Sequence, residues 1–551
     1  MKNCKLFVSA LFLLFCMPAI TQNVYHVNIN TGDDANDGLL WSSAFKNIQP
    51  AIDLAEEGDT LLIAAGVYHP TKRMADIYNK FSPDVTPTND RHRSFLIKKD
   101  IVLIGGFPAE TTDASAMKNR DWKKHATILS GDFNGDDDDG DGVSFDNREE
   151  NALHVVVMLK ATSKARLDGF IISGGNAAAD SADIYVDNIP VNHNSGGGII
   201  AIAPDESSPT LINLMITDNQ AENNGGGLYN FANAGYASPK LTNVSIIRNF
   251  ANRQGGGFYN DGMDADPSLS NVNITGNMAS AFGGGFFCMA ENATEPKLEN
   301  VLISGNKAET GAGAYIVTFT GDASPLFTNM TVSGNKASDN NYMGGGVIVN
   351  AQSGLATPHI RNSVFWGNRS GAIDNLIVVG LKGANPRYEY NLIEGMTLPD
   401  GHNLAGNIDP KFVNPVDATS APTVSDYGDY RLLSGSPLIN KGLNTFVTLT
   451  DDLDGQTRIY GDHVDIGAYE WQDDDSGNEV VPANESIWSH RGDLFVKIGN
   501  YATTIRIYSF NGLLIRQINN PGEGLHTITS LPRGIYIVTL STGETAKIII
   551  P

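Results

Sequence analysis

The chain is poor in cysteine, poor in basic charge, and without long stretches of helical periodicity. Only three of its 551 residues are cysteine, and Cys4 and Cys16 fall within the first twenty-one. Cys288 is then left alone, so no intramolecular disulfide can brace the remaining chain and packing has to supply the stability. Lys and Arg number 38 against 62 Asp and Glu, a formal net charge of −24. That balance excludes general nucleic-acid binding, which needs a basic footprint. Beyond the first twenty-one residues no apolar run is long enough to span a bilayer. No HExxH, P-loop or nucleophile-elbow pattern occurs, so the chemistries those motifs mark are not indicated.

Glycine is abundant, at 58 residues, and it is placed with a period. Clusters open at Gly196, Gly225, Gly255, Gly283, Gly311 and Gly344. Between them an apolar-alternating run carries an Asn at 213, 243, 271, 300, 329 and 362. A second Asn follows at 219, 249, 277, 306, 335 and 368. Such a spacing means stacked structural units and an elongated surface. In the copy from Ser238 to Asn260, Leu241, Val244 and Ile246 are apolar, with Thr242, Ser245 and Arg248 between them. The pattern is mostly period-2 with one irregularity, a short strand rather than a helix. Pro239 and Gly255–Gly257 punctuate it. Helical repeats would need long 3.6-period stretches, and leucine-rich repeats a different Leu spacing. The remaining solution is an all-β parallel β-helix with one coil per repeat, coils stacking about 4.8 Å apart. Like residues then lie over like, and the buried Asn are expected to form amide ladders.

Lys2 and Lys5 precede an apolar run from Leu6 to Ile20, and Ala19-Ile20-Thr21 offers a cleavage site. Residues 1–21 therefore read as a secretory signal peptide. Cys16 raises a lipoprotein alternative, against which stands the bulky Phe15. From Ser43 to Ala55, Phe45, Ile48, Ile52 and Ala55 share one helical face, with Ser42 or Ser43 able to cap it. A single amphipathic helix ahead of a solenoid is expected to cover the first coil's apolar cross-section.

Several stretches carry a family resemblance: GDDANDG (32–38), SSAFKNIQPAIDLAEEGDTLLIAAGVY (42–68), IVLIGGF (101–107) and LDGFIISGGNA (167–177). The chain resembles secreted right-handed parallel β-helix proteins of Bacteroidetes-type bacteria. SGSPLINKGLN (434–444) with DLDGQTRIYGDHVDIGAYE (452–470) is similar to that family's C-terminal anchor-like region. The resemblance covers residues 24–471 and implies the fold; such scaffolds host lyases, hydrolases, adhesins and proteins of other roles. Residues 472–486 are acidic, lack apolar alternation and read as a linker. Residues 487–551 then carry short strand patterns, with Asn511-Gly512 as a hairpin signal, and read as a small β-sandwich. SLPRGIYIVTLSTGETAKIII (530–550) resembles the C-terminal sorting domain of the type IX secretion system. That likeness implies type IX machinery as a partner and a secreted, extracellular or outer-membrane-surface location. An accessory sandwich is the alternative.

The densest charge is DFNGDDDDGD (132–141). Asp137, Asp139, Asp141 and Gly142 fit the first half of a calcium loop, and Ca2+ is the cofactor it suggests. Arg148 stands where the bidentate Glu should be, with Glu149 one residue late. A solvated acidic turn is the bland reading. A lyase would need a basic residue beside stacked carboxylates, and a glycosidase two carboxylates on adjacent coils. The outward strand positions are read as Thr242, Ser245, Ser270, Asn273, Glu299, Thr328, Thr331, Arg361 and Ser363, a face mostly small and neutral. Asp218 meets Arg248 in the next copy rather than a second carboxylate. Lys164, Arg166 and His154 are isolated upstream candidates. The expectation is a surface-displayed binding or adhesin-type protein for glycans or other extracellular surfaces. The alternative is a polysaccharide lyase or glycoside hydrolase with its site on loops around 70–160 or 372–430.

Overall fold

The computed structural model describes residues 22–74, 90–111, 116–137, 147–178, 184–338, 343–399, 401–419 and 428–472, and seven strands between 487 and 550 with Leu531. The signal-peptide reading, and the linker reading apart from Gln472, fall outside these residues. The solenoid is a right-handed parallel β-helix. One long sheet runs from Val24–Val27 to Leu392–Ile393, and a nine-stranded sheet runs from Phe95–Ile97 to Leu376–Gly380. Successive coils pair in register: Leu241 lies beside Leu211 and Leu269, and Phe258 beside Leu228 and Phe286.

Each long-sheet strand from Thr210–Thr217 to Lys297–Ser304 has eight residues and a bend at the repeated first Asn. Asn213, Asn243, Asn271, Asn300, Asn329 and Asn362 all sit at φ between 49° and 54°. Asn tolerates this left-handed geometry better than other side chains. The bend explains the irregular alternation: Leu241, Val244 and Ile246 all point inward although Asn243 interrupts the period. These side chains are buried and contribute roughly 1.5–3 kcal/mol each. Glycine has a backbone reason at the opposite corner. Gly255 has φ +62°, and a Cβ on Gly256 would lie 2.2 Å from the Met278 carbonyl oxygen of the next coil.

The second Asn of each repeat forms the expected ladder. Asn219 Nδ2 donates to Asn249 Oδ1 at 3.0 Å, Asn249 to Asn277 at 3.1 Å and Asn277 to Asn306 at 3.1 Å. Asn306 then donates to Asn335 at 2.9 Å, and Asn335 to Asn368 at 2.8 Å. All six are fully buried. The same amides also donate to backbone carbonyls of the preceding coil, such as Ile216 and Ile246.

The N-terminal helix spans Ile48–Leu54, shorter than the pattern suggested. Pro50 has no N–H and fits only the first turn, so the helix begins just before it. Neither serine caps it; Trp41–Ser43 form a separate 3-10 turn. It still covers the first coils, with Ile48, Ala51 and Ile52 buried. Gln49 closes the first edge of the nine-stranded sheet. Its Nε2 donates to the Leu96 carbonyl at 3.2 Å and its Oε1 accepts from the Leu96 N–H at 2.9 Å.

At the other end, residues 395–399 and 401–408 close the long sheet, where Asn391 donates to Asn403 Oδ1 at 3.2 Å. The chain then turns back over the outside of the coils. Phe412, Tyr430, Leu432, Leu438 and Ile466 pack on Leu302, Val364 and Leu392. This cover is organised by buried Arg458, which donates to the carbonyls of Asp465 at 3.0 Å and Gly467 at 2.9 Å and lies 3.6 Å from Glu470. Asp452, Asp465 and Glu470 thus surround one guanidinium. Burial pushes Asp465 up to about 6 and Glu470 up to about 8. The C-terminal unit has seven antiparallel strands in two sheets, of three and four strands, sharing one core that includes Leu494, Val496, Ile505, Ile507 and Val538.

Two outcomes follow from these contacts. Asn277→Ala leaves ladder neighbours without a partner, at roughly 1–3 kcal/mol for each unsatisfied group; thermal unfolding should show a clear drop in Tm, and an unchanged Tm would mean the ladder is not stabilising. The raised pKa of Glu470 gives stability that is fully present below its unfolded value of about 4.3 and is lost as pH rises through about 8. Glu470→Gln should flatten that decline between pH 5 and 8 in a Tm-versus-pH series, with roughly these bounds set by the two pKa values.

Candidate functional site

The coils leave part of the long sheet's outer face open between two excursions. On the N-terminal side, Arg120 Nε donates to the Gly105 carbonyl at 2.7 Å and its Nη2 reaches buried Asp168 at 2.5 Å. This pins the loop carrying Trp122 and Lys123, whose Nζ lies 5.6 Å from the Trp122 ring centroid. Gly106 is required there, because a Cβ would lie 2.6 Å from Trp122 Cα. On the C-terminal side, Asn300 Nδ2 donates to the Asp451 carbonyl at 2.8 Å, and the Thr448 N–H donates to Glu299 at 2.8 Å. Lys123 is near enough to lower the Asp454 carboxyl, although burial and neighbouring Asp452 hold it above the usual range.

The floor between the two excursions is neutral. Asn213 donates to Asp168 at 2.7 Å and Asn243 to Asn213 at 2.6 Å; further along, Asn300 donates to Asn271 at 3.0 Å. Thr242 and Asn243 are exposed, and Met215, Ser245, Ser270 and Asn273 are half-buried. Asn273 Oδ1 is buried and has no partner. Of the positions read as outward, Thr328 and Thr331 are buried; Thr331 Oγ1 accepts from the Ala468 N–H at 3.0 Å beneath the C-terminal cover. Arg361 stacks 4.8 Å from the Phe446 ring centroid. Ser363 is fully buried and donates to the Arg361 carbonyl at 2.7 Å, because the bend at Asn362 turns it away from the outer face.

One corner of this face carries charge. Asp218 pairs with Arg248 at 2.6 Å, and Arg148 donates to the Asp218 carbonyl at 2.5 Å. Beside them, Asp132, Asp136 and Glu150 bring one carboxylate oxygen each within 4.8 Å of one another. Asp132 Oδ1 is held by the N–H groups of Asn134 at 3.2 Å and Gly135 at 2.6 Å. Glu150 Oε1 is buried with no partner, and burial followed by Asp136 and Asp132 raises the Glu150 pKa. Three converging carboxylates repel unless a cation or a proton intervenes. An all-oxygen donor set suits a hard ion such as Ca2+ and not a soft one.

The acidic run thus brings carboxylates together that could hold a cation, from partly different residues than its spacing indicated. Asp137 accepts from Asn151 Nδ2 at 2.9 and 3.0 Å and lies 3.8 Å from Arg148. Burial pushes it up to about 7. Asp139 and Asp141 lie outside the described residues. Glu150 was missed because it follows the fold back to Asp132, not the twelve-residue loop count.

Next to this cradle stands His69, with its ring 6.2 Å from Phe133. Burial lowers its pKa, opposed by Asp132 and by a hydrogen bond to the Ser130 backbone. The imidazole is thus neutral near pH 7. Arg93 also lies 5.8 Å from the Phe133 ring centroid. His154, an upstream candidate from the sequence, is fully buried against the Gly196 carbonyl at 2.9 Å, and Arg166 pairs with Asp168.

No protein-family model matches the chain, and no curated protein matches it by sequence. Solved structures are similar at low identity. The pectate lyase Pel9A is 14% identical with a TM-score of 0.43, the alignment covering 82% of this chain and 97% of that one. A rhamnogalacturonan lyase is 10% identical with a TM-score of 0.28, covering 71% and 90%. A GH136 lacto-N-biosidase from Eubacterium ramulus is 12% identical with a TM-score of 0.26, covering 66% and 68%. With scores this low, the in-register parallel strands define the fold, not the likeness.

Calcium at roughly millimolar concentration should raise the Tm by binding only the folded state, and Asp132→Asn with Glu150→Gln should remove the increment. A calcium titration that leaves the wild-type Tm unmoved would show that the cradle holds no ion.

Proposed function

We propose that the chain is a carbohydrate-active protein of the polysaccharide-lyase type, taking an acidic polysaccharide across the open face of the long sheet. The observation that carries this reading is the partnerless Glu150 oxygen among three converging carboxylates, at the edge of a walled face. Asp132, Asp136 and Glu150 would hold Ca2+, which when bound supplies positive charge opposite a sugar carboxylate. Lys123 adds positive charge on the N-terminal wall and Trp122 offers an apolar surface to a sugar ring, while Arg93 lies by Phe133 and pairs with Asp90 at 3.0 Å. His69 is the group placed to accept a proton. Its bond to the Ser130 backbone occupies one ring nitrogen, and its lowered pKa keeps the other free as an acceptor.

Non-catalytic glycan binding is the second reading, favoured by the neutral amide and hydroxyl floor at Thr242, Asn243, Ser245 and Ser270. In both readings we place the protein outside the cell, delivered by type IX machinery acting on residues 487–551; this rests on the sequence resemblance.

Incubation with polygalacturonate, alginate and chondroitin, followed by unsaturated-product absorbance, separates the two. Turnover should need calcium, and His69→Ala should lower kcat by about 10²–10⁴-fold with little change in the calcium-dependent Tm. Binding of these polymers without any unsaturated product would leave the non-catalytic reading in its place.

A further inference from the structure

We propose that two copies of this chain pair tail to tail through the open edge of the nine-stranded sheet, Leu376–Gly380 of one copy running antiparallel to the same strand of the other.

The two ends of that sheet differ. Its first edge, Phe95–Ile97, is closed by the Gln49 side chain, which makes both bonds that a neighbouring strand would make at Leu96. Its last edge, Leu376–Gly380, pairs on one side with Val347–Ala351, and among the described residues no segment pairs along the other side. Leu376 and Val378 pack on the core yet remain half-buried. Around them Ile373 is 51% exposed, Val379 50% and Leu381 78%. An uncovered edge with apolar flanks is a template for another strand.

The same asymmetry selects the occupant. Head-to-tail stacking of copies is blocked, because Gln49 and the cap helix occupy the only other solenoid end. The open edge can meet the open edge of a second copy, which makes a closed two-fold contact and not a filament. Charge selects the direction. Asp374 precedes the strand, Lys382 follows it, and Val378 is midway between them. A two-fold axis at Val378 sets Asp374 of one copy opposite Lys382 of the other, twice. Parallel in-register pairing would set like charge against like. Lys382 is exposed, and Asp374 uses Oδ2 for the Gly344 N–H at 2.8 Å and the Ser370 hydroxyl at 2.6 Å, leaving Oδ1 for a partner.

Sedimentation equilibrium of the full secreted chain across the micromolar range tests this. The wild type is expected to form a dimer. Lys382→Glu, which turns both cross-pairs repulsive, should weaken it by about tenfold or more, and added salt should weaken the wild type. Val379→Lys should give a monomer. Both sites are exposed, so circular dichroism should stay that of the wild type. A monomer at every concentration, or dimers of wild-type strength in both variants, would overturn the proposal.

Discussion

In-register stacking of buried amides is the constraint from which the rest of this structure follows. A buried Asn side chain needs partners, and besides a carbonyl of its own strand the coils above and below supply them. Once Asn219, Asn249, Asn277, Asn306, Asn335 and Asn368 are linked, each coil is fixed in height and rotation relative to the next. The apolar interior then repeats without adjustment, and so does the bend at the left-handed Asn. The two Asn rows run in opposite senses. The buried row donates toward the C-terminal end, while Asn243 and Asn300 donate toward the N-terminal end. Their amide dipoles therefore oppose rather than add.

Function, on this scaffold, lies in the departures from the repeat. The loop around Trp122 and the cover around Arg458 each pack on outer strand positions that would otherwise be exposed. What they leave bare is a short neutral floor. The acidic corner arises the same way: the excursion after Ser130 carries Asp132 and Asp136 outward, and its return brings Glu150 to them. Charge is concentrated at the corner and walls, where side chains from different loops meet.

The repeat was legible because it obeys local rules. Period-2 alternation, an Asn at a fixed place and a glycine corner report directly on a coil. The lid helix was legible as an amphipathic stretch, though Pro50 shortened it. The candidate site was much less so. Asp137 carries the spacing of a ligand, while its contacts with Asn151 and Arg148 come from residues the spacing does not point to. Glu150 carries no local signature. Thr331 has the alternation of an exposed strand residue, but distant Ala468 covers it. His69 shows nothing in sequence of its closeness to Phe133. Such placements depend on how loops return across several coils, which periodicity does not encode.

The bent strand with its buried amide also sets how such a chain can change length. A duplicated or deleted coil presents the same donor upward and the same acceptor downward, so the neighbours on either side close over the join. Width of the floor between the two walls is then counted in whole coils, about 4.8 Å at a time. The length of this surface can thus be extended or trimmed by recombination without redesigning either wall.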